Sequence, residues 1–340
     1  MLKNDLKIPT IKSKMMTIKP LLKWVGGKRE LVPELLKRFP SVMDAYHEPF
    51  VGGGSVLLAL LHARNEGRVF VRSGVFAYDA NETLIHFYRN VQRDPTAMFE
   101  ATQQWEEPYK SLVNLKTNNS NNETKKSKRF HFEGDEVVCS DSKEMYYYWA
   151  RHRYNRMTQE ERNGIQGSAL FLFLNKTCFR GLYRMGPNGF NVPFGHYKNV
   201  TTDYDHMMAF SKTIQDVTFR CADFRDVLTN HICGTHANVF VYLDPPYVPL
   251  EQLGPETGPS KSFVQYTADG FSTDDHKDLF ALLLRRDSPV RYLMSNSDTP
   301  FVRQWFSSAS HVCIHPLPNC KRSIHSKRPQ SVANELLIEL

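Results

Sequence analysis

The stretch Val-Phe-Val-Tyr-Leu-Asp-Pro-Pro-Tyr, residues 239–247, decides how the rest of the sequence is interpreted. Its first five residues are apolar and rich in β-branched and aromatic side chains, which is typical of a buried strand. Two prolines then end the strand, because proline has no N–H to donate to a sheet. We therefore expect Asp244, Pro245, Pro246 and Tyr247 at the carboxyl end of this strand, the edge at which open α/β sheets bind their ligands.

These residues suit the methylation of an exocyclic amine on a base. The lone pair of such a nitrogen is delocalised into the ring, so the nitrogen is a poor nucleophile. Asp244 and the carbonyl of Pro245 are placed to accept the two amine hydrogens and to turn the lone pair toward an electrophilic methyl group, while Tyr247 stacks on the base. The alternative is a strand that ends in an ordinary Asp-Pro turn.

Length and composition narrow the class of protein. A chain of 340 residues can hold one large α/β domain with a smaller inserted or appended one, and 41% hydrophobic residues suffice for a core. The net charge of +7 and an isoelectric point near 9.0 favour a polyanionic partner. The lysine-rich start is not a signal peptide and no apolar run could span a bilayer, so we expect a soluble protein inside the cell, in the cytoplasm or a nucleus.

The cysteines give no sign of a disulfide framework or a metal site. Six cysteines occur without a CxxC pair, which is typical of reduced thiols. Cys313, His315, Cys320 and His325 lie near the carboxyl terminus, but their spacing does not match a usual zinc pattern. We therefore expect no metal.

The first glycine pair lies early in the chain. Residues 1–19 are lysine-rich and aperiodic, and we expect them to form a disordered leader. Leu-Lys-Trp-Val-Gly-Gly-Lys, residues 22–28, follows and leads into an amphipathic helix. Gly26 and Gly27 let backbone amides approach a carboxylate, with Lys28 beside them, although the segment is not a P-loop. The alternative is a simple loop at the start of a helix.

A second glycine cluster follows a predicted strand. The segment Glu-Pro-Phe-Val-Gly-Gly-Gly-Ser, residues 48–55, runs into an apolar helix in the Rossmann manner, but Leu57 replaces the third glycine of GxGxxG. The next strand ends in Asp79-Ala-Asn81. An acid at this spacing typically hydrogen-bonds a ribose, so the two elements indicate a nucleoside-containing cofactor. The alternative for Asp79 is a cap on the helix that follows.

The composition changes between about residues 85 and 210. Helical patterns there are rich in tyrosine, tryptophan and arginine, and they flank a polar, low-complexity tract at residues 116–134 that we expect to be a solvated loop. Residues 145–154 mix aromatic with cationic side chains. Such mixing suits phosphate contacts, although a helix that buries its aromatic side chains is the simpler interpretation.

Residues 174–197 are expected to form an extended loop or hairpin, because glycines recur at positions 181, 186, 189 and 195. Aromatic and cationic side chains lie in this segment or just after it: Phe179, Arg180, Arg184, Tyr197 and Lys198. Arginines on a glycine-hinged hairpin can enter a groove of DNA and read guanine edges. The alternative for Arg184 is a phosphate contact, which carries no sequence information.

The last third of the chain contains further strand and helix patterns. Residues 217–224 indicate a strand that ends in Asp223-Phe224, a pair that can bracket an adenine ring. We also expect a helix at residues 276–284 and strands at residues 291–296 and 335–340. Between those two strands, a basic loop with Lys321, Arg322 and Ser326 could touch phosphates.

Together these motifs resemble the Dam-type, D12-class DNA adenine-N6 methyltransferases, in the order of that family and over most of residues 20–340. Six matches carry the resemblance: residues 22–28 look like the family's N-terminal cofactor motif, residues 50–54 its glycine loop, Asp79-Ala-Asn81 its ribose acid, residues 179–197 its target-reading hairpin, Asp223-Phe224 its adenine clamp and residues 244–247 its catalytic motif.

The resemblance implies S-adenosylmethionine as the methyl donor and a target adenine that is flipped out of duplex DNA. The implied cofactor contacts are Trp24, Gly26, Gly27, Lys28, Phe50, Gly52, Gly54, Asp79, Asn81, Asp223, Phe224 and Asp244. The implied DNA contacts are Lys23, Phe179, Arg180, Leu182, Arg184, Asn191, Tyr197, Lys198 and Arg322. Among these, Lys23 and Arg184 would contact bases and Phe179 would wedge into the base stack.

We therefore predict a doubly wound, Rossmann-like methyltransferase sheet built from residues 20–84 and 211–340, with a mainly helical target-recognition domain at residues 85–210. We expect a monomer that acts on double-stranded DNA, with a cognate restriction endonuclease as a further candidate partner. Arg180 stands where the family often has asparagine, which argues against a GATC target.

Two other functions are also compatible with these motifs. One is methylation of RNA adenine or of a protein glutamine, because such enzymes can share the Pro-Pro-aromatic turn. The other is DNA binding without catalysis. The hairpin with Arg184, and aspartate rather than asparagine at position 244, favour DNA adenine as the substrate.

Overall fold

A computed structural model describes residues 18–112, 142–232, 238–248, 270–285, 290–321 and 332–340. Nine strands occur in this part of the chain: β1 (Val42–Glu48), β2 (Phe70–Asp79), β3 (Met185–Gly186), β4 (Gly189–Phe190), β5 (Val217–Cys221), β6 (Val239–Leu243), β7 (Arg291–Ser297), β8 (Cys313–Lys321) and β9 (Val332–Glu339).

The helices of the described residues, in chain order, are α1 (Val32–Leu36), α2 (Ser55–Asn65), α3 (Glu82–Arg93), α4 (Pro95–Ser111), α5 (Lys143–Arg156), α6 (Gln159–Asn163), α7 (Ile165–Thr177), α8 (Tyr204–Thr213), α9 (Phe224–Asp226), α10 (Thr273–Leu283) and α11 (Pro300–Phe306). A 3₁₀ turn at Phe179–Gly181 follows α7, and a π-helical turn at Val227–His231 follows α9. No helix within the described ranges is long and apolar enough to cross a membrane.

Seven strands form one sheet in the order β5-β2-β1-β6-β7-β9-β8. The pairs from β5 through β7 are parallel, whereas β9 is antiparallel to both β7 and β8. From β1 the chain adds β2 and β5 on one side and β6 and β7 on the other, so the pair of β1 and β6 is the switch point of the sheet. Open α/β sheets bind ligands at such a switch point. The prediction of an α/β fold with a mostly parallel sheet is confirmed.

The central strand β6 is buried along its whole length. Its side chains alternate between two cores: Phe240 and Tyr242 belong to one, and Val239, Val241 and Leu243 to the other. A strand that is covered on both faces has apolar residues at every position. This explains why the stretch lacks the alternation of apolar and polar residues that a half-exposed strand shows.

Helices α3, α4, α5, α7 and α8 share one core with one face of the sheet. The aromatic side chains Tyr146, Tyr147, Trp149 and Tyr154 of α5 are buried, so the simpler interpretation of that mixed segment is confirmed. Helix α3 spans the boundary predicted near residue 85 and contacts both β5 and α7. The division of the chain into two domains stays a prediction, and the tract at residues 116–134 lies outside the described residues.

Two local predictions were wrong. Residues 174–177 are not extended but form the last turn of α7, because the helix that contains the preceding apolar run continues through Thr177. Lys321 is not in a loop but ends strand β8, which the sequence did not reveal because Pro316 and Pro318 interrupt it. Strand β8 lies at the edge of the sheet, the position where a strand tolerates proline.

Candidate functional site

The carboxyl ends of the parallel strands meet at one edge of the sheet, and the segments after them carry most of the predicted site residues. We call these segments, residues 48–54, 79–81, 223–224, 244–248 and 295–297, the catalytic edge. The strands that position them are β1, β2, β5, β6 and β7. The sheet therefore brings together motifs that are far apart in the sequence.

Asp244 is paired with Lys28 from the N-terminal glycine segment. The Lys28 ammonium lies 2.9 Å from Oδ1 of Asp244, and the two side chains are 7% and 19% exposed. The same ammonium donates to the Gly26 carbonyl at 3.0 Å and lies 4.5 Å from the centroid of the Tyr247 ring. Lys28 is thus part of the site rather than of a simple helix-start loop, and it compensates a carboxylate that is largely removed from water.

The turn at residues 244–248 is held from two neighbouring strands. The Tyr247 hydroxyl donates to Oε2 of Glu335 on β9 at 2.8 Å, and burial raises the pKa of Tyr247 far above its usual value. The Val248 N–H donates to Oδ1 of Asn296 at 3.3 Å, and the Ser297 hydroxyl donates to the Val248 carbonyl at 2.7 Å. Pro245 itself is buried. These contacts fix the turn rigidly against the sheet.

Asp79 holds the glycine loop in place. Its two carboxylate oxygens accept the Gly52 N–H at 3.1 Å and the Asn81 N–H at 2.9 Å. Burial raises the pKa of Asp79 to about 6, although these two hydrogen bonds act in the opposite direction. Asn81, not Asp79, caps helix α3, since its side chain accepts the Leu84 N–H. The alternative in which Asp79 is the helix cap is therefore wrong.

Trp24 packs directly on the glycine loop. A Cβ added to Gly53 would lie 2.7 Å from Cβ of Trp24, and one added to Gly52 would lie 3.0 Å from its indole ring. Gly54 has a φ of +72°, which favours glycine, and the Tyr88 hydroxyl donates to the Gly52 carbonyl at 2.8 Å. The loop accordingly needs its glycines for close approach and for backbone conformation. Gly26 and Gly27, in the segment that also carries Trp24, are exposed.

Phe50, Phe224 and Phe271 form an aromatic cluster beside the loop. Their ring centroids are 5.6 to 5.9 Å apart. Phe224 is buried, and the Arg225 guanidinium lies 4.5 Å from its ring centroid. Asp223 caps the short helix α9 by accepting the Arg225 N–H at 2.8 Å. The adenine-clamp role of Asp223 and Phe224 stays a prediction.

Glu48 is an acid of the catalytic edge that the sequence reasoning did not identify. It is 2% exposed, and its Oε2 accepts a hydrogen bond from the Tyr46 hydroxyl at 2.7 Å. Burial raises the pKa of Glu48 to about 8, and the nearby charge of Asp244 acts in the same direction. Its position directly before Pro49, where β1 ends, was the signal that could have identified it. Asn296 and Glu335 were also missed, since each acts through a strand distant in the sequence.

The segment at residues 178–198, which we call the reading segment, carries most of the predicted DNA contacts. Strands β3 and β4 form a short hairpin there. Phe179 is 44% exposed, and the Arg180 guanidinium lies 5.2 Å from its ring centroid. Leu182 is half-buried.

Contacts within the reading segment and with Lys23 organise its polar side chains. We expected Arg184 to be able to enter a groove of DNA. In the structure its guanidinium donates to Oδ1 and to the carbonyl of Asn191. The Lys23 ammonium lies 3.6 Å from the centroid of the Tyr197 ring. Lys198 is exposed. Arg322 lies outside the described residues.

The chain resembles known proteins over most of its length. A sequence model of the D12 class N6 adenine-specific DNA methyltransferases matches residues 24–317. The chain is 31% identical to the Type II methyltransferase M.MjaIII of Methanocaldococcus jannaschii over 290 residues, which cover 83% of this chain and 85% of that protein. It is 31% identical to a DNA adenine methylase of Serratia marcescens over 322 residues, which cover 93% of this chain and 96% of that protein.

A DNA adenine methylase of Haemophilus influenzae is 29% identical over 294 residues, which cover 86% of this chain and 84% of that protein. These matches and the family model extend over most of the sequence, including the catalytic edge and the reading segment. The chain belongs to the D12 class of N6 adenine-specific DNA methyltransferases.

Proposed function

We propose that this protein transfers the methyl group of S-adenosylmethionine to N6 of an adenine in a short, specific site of duplex DNA. The observation that carries the proposal is the group Lys28, Asp244 and Tyr247 at the switch point of the sheet. It combines an acceptor for an amine, a ring on which a base can stack and a cation that is paired with the acceptor.

The residues of the catalytic edge fit a nucleoside-containing methyl donor. The carboxylate of Asp79 accepts one backbone hydrogen bond at each oxygen, which leaves further lone pairs for the hydroxyl groups of a ribose. Nδ2 of Asn296 is buried and has no hydrogen-bond partner among the described residues, so it is a donor available to a ligand at this edge. The glycine loop and the Phe50 cluster would hold the rest of the cofactor.

The chain's own groups supply the orientation that the reaction needs. When bound, S-adenosylmethionine supplies an electrophilic methyl group on a sulfonium sulfur. Asp244 and the Pro245 carbonyl accept the two N6 hydrogens, which localises the nitrogen lone pair and directs it to that carbon. The Tyr247 ring, held through Glu335, stacks on the flipped adenine. Because the Lys28 ammonium now lies over the Tyr247 ring as well as beside Asp244, it has to leave the ring face on which the base stacks.

The basic charge of the chain and the reading segment support duplex DNA as the substrate. We propose that residues 179–184 enter a groove and that Phe179 fills the space of the flipped base. Some relatives are named Type II methyltransferases, so a companion endonuclease that cuts the same unmethylated site belongs to this proposal.

Incubation with S-adenosylmethionine that carries a tritiated methyl group tests the function. The substrates are a random duplex library, a matched RNA library and glutamine-containing peptides, and digestion to nucleosides identifies the product. We expect N6-methyladenine in the duplex only, and sequencing of methylated positions then gives the site. Label in RNA or peptide alone, or in none of the three, would refute the proposal.

A further inference from the structure

A buried amide joins the N-terminal glycine segment to the reading segment. Asn175 lies in the last turn of α7 and is 1% exposed. Its side-chain oxygen accepts the Lys23 N–H at 2.8 Å. Its side-chain nitrogen donates to the Lys23 carbonyl at 2.9 Å and to the Gly181 carbonyl at 3.1 Å. Asn175 therefore pairs with both backbone groups of Lys23, as a neighbouring strand would, and also fixes the reading segment.

Lys23 and the reading segment are in direct contact at this point. Gly181 has a φ of +65°, and a Cβ added to it would lie 2.3 Å from Cβ of Lys23, so only glycine allows this approach. The Lys23 ammonium also donates to the Lys176 carbonyl at 3.2 Å. The backbone of Lys23 cannot shift relative to Gly181 without the loss of these contacts.

The residues next to this contact belong to the two predicted ligand sites, one for the methyl donor and one for DNA. Trp24, next to Lys23, packs on the glycine loop and stacks on Tyr183 with ring centroids 5.9 Å apart. Gly181 lies between Arg180 and Leu182, which are predicted to contact DNA. A movement of the reading segment on DNA must therefore either move Trp24 or break the hydrogen bonds of Asn175, and the latter leaves buried polar groups unpaired.

We propose that Asn175 is a positioning residue that couples DNA binding to binding of the methyl donor, an inference that rests on the proposed function. Each ligand stabilises the arrangement of Lys23 and Gly181 that the other one requires. Coupling of this kind is reciprocal, so duplex tightens donor binding by the same factor by which the donor tightens duplex binding.

Calorimetric titration with sinefungin, an unreactive analogue of S-adenosylmethionine, measures this factor. The titration is done with and without a duplex that the wild-type protein methylates. We expect the wild-type protein to bind sinefungin about fivefold or more tightly when the duplex is present. In Asn175→Ala the factor should fall below about twofold, while sinefungin alone and duplex alone still bind.

Asn90→Ala is the matched control. Asn90 is also a buried amide, 4% exposed, and it donates to the Asn163 carbonyl and to the Ser168 hydroxyl at 2.8 Å each, away from Lys23 and Gly181. We expect this variant to keep the wild-type factor. If the duplex increases sinefungin affinity by the same factor in the Asn90 and Asn175 variants, Asn175 has no coupling role. This holds whether both variants keep the wild-type factor or both lose it.

If Asn175→Ala does not fold, hydrogen exchange of the wild-type protein tests the coupling between the two ligands instead. Sinefungin alone should slow amide exchange in residues 178–184, and duplex alone should slow it in residues 20–25. The inference would be overturned if sinefungin slowed exchange only in residues 20–25 and the duplex slowed it only in residues 178–184. A wild-type protein that methylates no DNA would instead refute the proposed function, so the two failures are distinguishable.

Discussion

The catalytic edge and the reading segment hold their polar side chains in different ways. At the edge, two carboxylates are bound by groups from distant parts of the chain: Asp79 by the glycine loop, and Asp244 by Lys28. In the reading segment, by contrast, Arg184 is held by an exposed neighbour in the same hairpin, Asn191. The first arrangement is fixed by the sheet, whereas the second can be exchanged for contacts with a ligand.

This difference separates two kinds of function. A site built on strand ends presents the same groups whatever the DNA sequence, so we expect its substitutions to affect all targets alike. A segment whose arginines pair with its own side chains can release them to bases or phosphates. Its substitutions should change which sites are methylated more than how fast the chemistry is.

The largest effect is expected for Asp244→Ala. Without the carboxylate that we propose to accept an N6 hydrogen, methyl transfer should fall by at least about 10²-fold on every duplex, while the protein stays folded. Asp298→Ala is the control, because Asp298 also follows the end of a strand and is paired with Arg303. Substantial turnover by the Asp244 variant, measured with tritiated donor, would contradict the mechanism.

Asp79→Ala should weaken binding of the donor for all DNA sequences. Asp79 holds the glycine loop, and we propose that it also accepts ribose hydroxyls. Its loss should cost about 1–3 kcal/mol of sinefungin affinity, while DNA binding without donor is retained. The raised pKa, about 6, predicts the pH dependence: as the pH falls through 6, Asp79 is protonated and affinity declines. Calorimetry at several pH values checks both points, and an Asp79→Asn variant should lack the pH dependence.

Arg184→Ala tests whether the reading segment determines the site. Loss of a bidentate contact to guanine should cost about 1–3 kcal/mol on the true site and relax discrimination at one base pair. Loss of a phosphate contact would instead weaken binding to all DNA sequences equally, and the salt dependence of the affinity would fall by about one charge. Sequencing of methylated positions separates the two outcomes. Asn191→Ala is a useful companion, since it removes the side-chain acceptor of Arg184 and leaves only the contact with the carbonyl of residue 191.

Arg180→Asn should alter the site preference with little effect on stability. Arg180 has a φ of +59°, a conformation in which asparagine is favoured over arginine, so the substitution relieves rather than creates strain. It also removes the guanidinium from the face of Phe179. The methylated motif of the variant should differ from that of the wild-type protein. An identical motif would exclude Arg180 from base recognition.

The smallest effect on methyl transfer is expected for Glu48→Gln, which acts on stability. Because the pKa of Glu48 in the folded protein is about 8, above its ordinary value of 4.5, its contribution to stability is complete below pH 4.5 and is lost as the pH rises to about 8. Glutamine keeps an acceptor for the Tyr46 hydroxyl but does not titrate. The melting temperature of the variant relative to wild type should therefore rise between pH 5 and pH 8. A constant difference would contradict the raised pKa.

The sequence by itself determined the parallel sheet, its glycine turns and the chemistry at its edge. Strand β6 is visible as an apolar run that two prolines end, and the glycine loop and Asp79 follow their strands at short distance. These signals are local, because the period of a strand and the conformational limits of proline and glycine act on neighbouring residues. Their meeting at one edge follows from parallel pairing alone.

Only the tertiary structure decided which side chains meet across the chain. The pairing of Lys28 with Asp244, of Tyr247 with Glu335 and of Asn175 with Lys23 joins residues far apart in the sequence, the last pair 152 positions apart. Edge strand β8 and the buried acid Glu48 have no periodic signal of their own. Such contacts depend on how helices and strands pack, and the resulting burial then sets the raised pKa values of Glu48 and Asp79.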